Sequence, residues 1–200
     1  MTTEESRYEL GMVEGGLLHQ GIMQIFGPID DYTHDYIQKC MTIMESNNSP
    51  NLIAKINSSG GGLTWSFAIH DLLKFYRGDT LGIVIGQACS GANLILQACK
   101  TRAASQGSVL LVHNMITTIS MDVIRDKKEW RENLLRLEAW QNKIYRIYQE
   151  RTGKSRKEIR KIFQDEEPLT AEKAKKLGLI DQIIEKMTFE VRPMAAGVTL

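Results

Sequence analysis

The stretch LIAKINSSGGG at residues 52–62 is the part of the sequence that decides the fold. Its first half, 52–56, is apolar except for Lys55 and lacks the polar alternation of a strand with one solvent-exposed face. Such a run indicates a strand covered on both faces, which is typical of a mainly parallel sheet. The glycines end the strand, and a helix is predicted over 63–76. The stretch therefore predicts one strand–helix unit of an α/β protein.

The same order of strand, turn and helix recurs on both sides of this stretch. Further apolar strands are predicted at 22–26, 83–85, 109–112 and 179–184. Further helices are predicted after Asp30 or Asp31, and over 92–99, 121–151 and 170–177. Gly153 and Gly178 are predicted to end the last two of these, and a capping box of Ser155 and Glu158 predicts a short helix between them. The long helix over 121–151 carries one apolar stripe between charged faces. Repeated units of this kind predict a mainly parallel sheet built from βαβ units.

Length and composition narrow the class of protein. A chain of 200 residues with a net charge of +1 fits one domain, and it gives no indication of nucleic-acid binding. It contains no apolar run of the roughly 20 residues that a membrane helix needs, and its polar N-terminus does not resemble a signal peptide. We therefore expect a cytoplasmic protein without membrane contact.

The chain contains three cysteines, Cys40, Cys89 and Cys99, and no pair of them has CxxC spacing. An odd number at these spacings favours reduced, buried thiols over a disulfide framework or a zinc site. We expect no metal and no cofactor.

Three predicted strands end in residues that could do chemistry. One ends at the glycine run 60–62, one at Ser90, and one at His113. Sites in open α/β sheets lie beyond the carboxyl ends of strands, so these residues are expected to meet. A serine needs a base to become a good nucleophile, and histidine suits that task near neutral pH. Glycines let backbone N–H groups approach a substrate, as an oxyanion hole requires.

Each of these residues also has a structural interpretation. A serine before a helix is commonly a cap, a histidine at a strand end is commonly a packed residue, and glycine runs are mostly turns. Residue types and spacing alone therefore do not identify an enzyme.

Longer motifs carry a resemblance to a known family. They are IFGPIDD at 25–31, INSSGGG at 56–62, GQACS at 86–90, Val112-His113, LTAEKA at 169–174 and GLID at 178–181. In this order they resemble the signature blocks of Clp protease proteolytic subunits, over about residues 22–184. The resemblance implies a crotonase-like α/β fold, with the helix over 121–151 as a protruding handle. It also implies a serine endopeptidase.

The resemblance assigns roles to individual residues. Ser90 matches the nucleophile and His113 the general base. The backbone N–H groups of Gly61 and Gly91 match the oxyanion hole. No metal or cofactor is implied.

The third member of the triad falls on Glu166, counted back from the LTA motif at 169–171. The family usually has aspartate there, and glutamate can also orient an imidazolium. Asp165 is a close alternative. Both residues lie in the acidic run QDEE at 164–167, so a solvated loop is the competing interpretation.

The sequence departs from the family at several positions. Ser59 replaces the usual proline, Gly91 replaces a methionine, and the interval between Ser90 and His113 is two residues shorter. Membrane-associated relatives use a serine–lysine dyad. Lys55 is the lysine in the strand before the glycines, and a surface or edge role is favoured for it because His113 is present.

The resemblance also implies an assembly. We expect homo-oligomeric rings, usually heptamers stacked as a tetradecamer, that take peptides or unfolded proteins. A partner AAA+ unfoldase is a possibility, since the chain has no nucleotide loop of its own. The expected organisation is an axial segment at 1–20, a peptidase domain at 21–184 and a tail at 185–200.

Two other functions stay open. One is a non-catalytic ring subunit or scaffold with a misaligned triad. The other is a crotonase-like enzyme that binds acyl-CoA and needs no nucleophilic serine.

Overall fold

The computed structural model describes residues 11–185. Within this range the chain forms eight helices and seven strands. The strands are β1 Ile22–Ile29, β2 Leu52–Gly61, β3 Thr80–Cys89, β4 Thr101–Ser105, β5 Val109–Leu111, β6 Leu169–Thr170 and β7 Gln182–Ile184. The helices are α1 Met12–His19, α2 Asp31–Ser46, α3 Leu63–Phe75, α4 Gly91–Leu96, α5 Met121–Arg125, α6 Lys127–Thr152, α7 Arg156–Asp165 and α8 Ala171–Leu177.

The strands form one mixed sheet in which most pairings are parallel. Its main order is β1-β2-β3-β4-β7, and all neighbours in that order are parallel. β5 runs parallel to the end of β3, and β6 pairs with β5 in the antiparallel direction. The predicted α/β fold with a mainly parallel sheet is confirmed.

Strand β3 changes partner along its length, and this change creates the space for a site. Its first half pairs with β4 over Leu81–Val84, and its last residues pair with β5 over Gln87–Cys89. Gly86 lies between the two pairings with φ +95°. A Cβ there would lie 2.7 Å from the Asn57 Oδ1 atom, so the bend needs glycine.

The core lies between the sheet and the helices that follow its strands. Helix α2 packs against β1 and α3, α3 packs against α4, and α4 packs against β2 and β3. All six residues of α4 are buried. Helix α4, which follows β3, is therefore packed on all sides.

Several local predictions are confirmed. The Asp30 side chain accepts a hydrogen bond from the Thr33 N–H and caps α2. Ser155 and Glu158 form the predicted capping box at the start of α7. Gly153 and Gly178 end α6 and α8 in the left-handed conformation, where glycine carries no steric penalty.

The predicted helix over 121–151 is two helices. Asp126 separates them, and its carboxylate accepts hydrogen bonds from the Lys128 and Glu129 N–H groups, so a new helix begins there. In α6 the fully buried residues begin only at Ile144. The first half of α6 therefore projects from the domain, as expected of a handle.

Other elements differ from the prediction. Residues 1–20 were expected to be loosely structured, but residues 12–19 form α1, because the buried Leu18 anchors it to the core. The sequence did not predict the short strands β4 and β6. In β4 the charged Arg102 breaks the apolar pattern of a buried strand. The last strand begins at Gln182 rather than Leu179.

Residues 1–10 and 186–200 lie outside the described residues. The axial segment expected at 1–20 is therefore described only in its second half, and the expected tail at 185–200 only at Glu185. In the range 11–185, no helix combines the length and the apolar character needed to cross a membrane.

Candidate active site

Ser90 lies at a sharp turn between β3 and α4. Its backbone has φ +53° and ψ −123°, a conformation that costs a non-glycine residue roughly 1–3 kcal/mol. Its N–H donates to the Leu111 carbonyl at 2.9 Å, and its carbonyl accepts from the Asn93 N–H at 3.0 Å. A serine held in a strained strand-to-helix turn presents its hydroxyl outward, as in a nucleophile elbow.

The glycine run at the end of β2 packs directly against this turn. Gly60 has φ +94°, and a Cβ added there would lie 2.8 Å from the Ser90 Cβ and 3.0 Å from the Gly91 nitrogen. A Cβ at Gly61 would lie 2.3 Å from the Ile29 carbonyl oxygen. The ends of β1, β2 and β3 therefore meet, and the meeting leaves no room for side chains at these glycines.

Gly91 has a specific reason to be glycine in this chain. A Cβ there would lie 2.1 Å from the Ser66 Oγ atom and 3.0 Å from the Ser66 Cβ. Ser66 is fully buried in α3 and donates to the Gly62 carbonyl at 2.9 Å. The space for a side chain at 91, where the family has methionine, is therefore occupied by Ser66.

His113 follows β5 and lines the same cleft as Ser90. Its Nδ1 atom is 2.6 Å from the Asn114 carbonyl oxygen. A carbonyl can only accept, so Nδ1 carries the proton in this arrangement and Nε2 keeps its lone pair. This contact favours the tautomer that a general base needs, with the Nε2 lone pair directed away from the backbone.

The third residue implied by the resemblance does not join this pair. Glu166 is exposed, ends α7 with φ +46° and does not line the cleft. Asp165 pairs instead with Lys161 at 3.2 Å. Within residues 11–185, no carboxylate forms a hydrogen bond with His113.

The cleft has a volume of about 700 Å³. Its walls combine the glycine loop, the serine turn, the histidine segment and α6. The lining residues are Gly61, Gly62, Leu63, Thr64, Ser90, Gly91, Leu94, Val112, His113, Met115, Ile116, Thr117, Arg136, Leu137, Trp140, Ile144, Tyr148 and Phe163. Ser90, His113, Gly61 and Gly91 all line this one cleft.

Cys89 and Lys55 are the other groups near the site that could act as a nucleophile or a base, and neither is suited to that role. Burial raises the pKa of the Cys89 thiol, although a hydrogen bond involving the Leu111 backbone lowers it in part. The thiol therefore stays protonated near neutral pH, and a protonated thiol is a weak nucleophile. Lys55 does not line the cleft. Among the described residues, no cluster of three or more His, Cys, Asp or Glu side chains could hold a metal ion.

The sequence did not predict the α6 side chains that hydrogen-bond to the two residues after His113. The Tyr145 hydroxyl donates to the Asn114 Oδ1 atom at 2.6 Å, and the Met115 N–H donates to the Gln141 Oε1 atom at 2.8 Å. Both side chains come from α6. The available signal was a pair of polar residues, four apart, beside the apolar stripe of that helix.

This fold and this site define a class: an α/β protein with a serine, a histidine and a glycine loop in one cleft. The family model for Clp protease matches residues 5–187. A relative from Thermobifida fusca (strain YX), named ATP-dependent Clp protease proteolytic subunit 1, is 29% identical over 171 residues, which are 84% of this chain and 76% of the relative.

The chain belongs to the Clp protease family. The resemblance drawn from the motifs and the crotonase-like fold that it implies are confirmed. The roles of individual residues do not follow from family membership and stay proposals.

Proposed function

We propose that this chain is a serine endopeptidase in which Ser90 is the nucleophile and His113 the general base. The observation that carries the proposal is the 2.6 Å distance between the His113 Nδ1 atom and the Asn114 carbonyl oxygen. This contact assigns the ring proton to Nδ1, which leaves Nε2 free to take a proton in the cleft that Ser90 also lines. The strained turn at Ser90 supports the same assignment.

The expected reaction has two halves. His113 takes the hydroxyl proton of Ser90 as the oxygen attacks the scissile carbonyl, and the Gly61 and Gly91 N–H groups hold the resulting oxyanion. His113 then gives the proton to the leaving amine. Water attacks the acyl-enzyme by the same route in reverse, so no metal or cofactor is needed.

The substrate is proposed to be a peptide or an unfolded protein. The cleft carries apolar side chains such as Leu94, Trp140 and Ile144, which suit an apolar substrate side chain. Of the lining residues, Arg136 is the one with a permanent charge. The relative's name includes the words ATP-dependent, which supports an ATPase partner for this chain as a further proposal.

We also infer a homo-oligomeric ring. Large apolar side chains are exposed both in the segment after β5 and on the projecting half of α6, with Ile116 at 81% and Leu135 at 58%. Exposed apolar surface of this kind marks an interaction site. Stacked heptamers are the arrangement that the family resemblance implies.

The proposal differs from the family pattern in the third member of the triad. In this structure the acceptor for His113 Nδ1–H is the Asn114 carbonyl, while Glu166 and Asp165 face solvent. A carbonyl can orient the imidazole, but it stabilises the imidazolium less than a carboxylate does. The role of Glu166 stays a prediction that substitution can decide.

The first test is mass-spectrometric mapping of a fluorophosphonate adduct on the assembled protein. We expect the adduct on Ser90, and we expect His113→Ala to slow its formation by about 10³-fold or more, because the base is lost. His19→Ala is the matched control, since His19 lies in α1 and does not line the cleft.

Other outcomes lead to named alternatives. No adduct on a well-formed oligomer would identify a non-catalytic ring subunit, the function favoured by the missing carboxylate at His113. An adduct that forms equally fast in His113→Ala would place the base elsewhere. Saturable binding of acyl-CoA without an adduct would favour the acyl-CoA enzyme.

A further inference from the structure

One face of helix α6 carries three polar side chains that point toward the candidate active site. They are Gln141, Tyr145 and Tyr148, spaced four and three residues apart, so they lie above one another on the same side of the helix. Tyr145 is 6% exposed and Tyr148 is 1% exposed. Polar groups buried this deeply need partners, and their partners all belong to the two catalytic segments.

The first two side chains hold the histidine segment. The Tyr145 hydroxyl donates to the Asn114 side chain at 2.6 Å, and Gln141 Oε1 accepts the Met115 N–H at 2.8 Å. These contacts fix the residues on either side of the carbonyl that receives His113 Nδ1–H. The Gln141 Nε2 atom is buried and has no partner in residues 11–185, so the bond to Met115 is the contact that this amide makes.

The third side chain holds the serine segment. The Tyr148 hydroxyl donates to the Asn93 Oδ1 atom at 2.9 Å, and the Asn93 Nδ2 group donates to the Ala88 carbonyl at 3.3 Å. The Asn93 N–H also donates to the Ser90 carbonyl at 3.0 Å. Asn93, which is fully buried, thus connects Tyr148 to the Ala88 and Ser90 carbonyls of the strained turn.

We propose that Gln141, Tyr145 and Tyr148 are positioning residues that hold the base and the nucleophile in register from a single helix. The inference rests on the proposed function and adds to it. A shift of about 1 Å in a catalytic group can cost about 100-fold in rate. Losing one of these hydrogen bonds to α6 should therefore lower the rate of peptide hydrolysis.

The test removes one hydroxyl at a time. We expect Tyr145→Phe and Tyr148→Phe each to lower kcat for a fluorogenic peptide about tenfold, and to slow fluorophosphonate labelling of Ser90 about as much, with KM unchanged. Tyr76→Phe is the matched control, because the buried Tyr76 hydroxyl donates to the Pro50 carbonyl at 2.6 Å, away from the cleft. Its kcat should stay at the wild-type value.

Melting temperature separates positioning from simple stability. The three Tyr→Phe variants should lose similar amounts of Tm, while kcat falls only for Tyr145 and Tyr148. Gln141→Met lacks the acceptor for the Met115 N–H, and its kcat should fall as well. Gln141→Glu keeps an acceptor oxygen, and its kcat should stay close to the wild-type value.

Two results would overturn the inference. The first is a kcat that falls equally in Tyr76→Phe, or that stays unchanged in both α6 variants. The second is a crystal structure of Tyr145→Phe in which the position of His113 relative to Ser90 is the same as in the wild-type protein. The crystal structure tests the inference even if the wild-type protein forms no adduct, a result that would count against the proposed function instead.

Discussion

The serine turn and the acidic turn after α7 contain equally prominent sequence signals, but the structure treats them differently. The Ser90 N–H donates to the Leu111 carbonyl and its carbonyl accepts from the Asn93 N–H, and the following helix is buried throughout. Around Glu166 the chain is exposed, and the neighbouring Asp165 pairs with a lysine on its own helix. A buried turn fixes the direction of a side chain, whereas an exposed turn leaves it to solvent. The contacts within one chain therefore fix the serine turn but not the acidic turn.

Among the variants that test this comparison, the largest effect should come from overfilling the serine turn. Gly91→Ala places a Cβ 2.1 Å from the Ser66 Oγ atom, so Ser66 or the Gly91 backbone must move, and we expect the Gly91 N–H to leave the oxyanion position. Loss of one such donor costs about 10²–10³-fold in kcat, and we expect a loss in that range for peptide hydrolysis.

Two further variants sharpen this prediction. Ser66→Gly in the Gly91→Ala background should recover a large part of the activity, because it removes both atoms that the new Cβ meets. Gly107→Ala is the control, since a Cβ at Gly107 meets nothing within 4 Å. A fully active Gly91→Ala would show that the turn is not held as tightly as the comparison states.

An intermediate effect is expected at the buried polar network behind the serine turn. Arg102 donates to Gln97 at 2.6 Å and to both carboxylate oxygens of Asp181, at 2.6 and 3.2 Å. Burial disfavours the charge of Asp181, but the hydrogen bonds from Arg102 outweigh it and keep the pKa of this carboxyl below its ordinary value.

Arg102→Met should therefore lower the free energy of unfolding by about 2 kcal/mol, since the buried Gln97 oxygen and the partly exposed Asp181 carboxylate lose this donor. Lys100→Met is the control. It breaks an ion pair with Asp79 whose two side chains are 67% and 61% exposed, and such pairs contribute about 0–1 kcal/mol. Urea unfolding at neutral pH measures both. Equal losses would contradict the view that burial sets the strength of these contacts.

The smallest effect is expected in the exposed region. Glu166→Gln keeps the shape of the side chain and removes its charge, and it should change kcat less than about threefold, because no hydrogen bond joins Glu166 to His113. Asp165→Asn is the companion variant and should behave alike.

This prediction is also the one that could reverse the comparison. A loss of about 10²-fold or more in the assembled protein, confined to Glu166→Gln, would make Glu166 the third member of the triad. It would mean that assembly places a carboxylate that the single chain leaves exposed.

The amino-acid sequence by itself determined five of the seven strands, most helix ends and the identity of the central candidates. Apolar runs mark strands buried on both faces, and capping residues act through their nearest neighbours, so both can be read locally. Ser90 and His113 were found because each follows a strand whose carboxyl end must face the same edge of the sheet.

Only the tertiary structure decided which groups surround these residues. The partners of the catalytic segments lie far away in sequence: Tyr145 is 31 residues from Asn114, and Tyr148 is 55 residues from Asn93. Strand β4 was missed because its Arg102 looks exposed until Asp181, 79 residues later, is brought beside it. Local patterns record the preferences of neighbouring residues. A hydrogen bond across the core exists only once packing has brought both ends together, and for that reason the α6 partners of Asn114 and Met115 could not be read from the sequence.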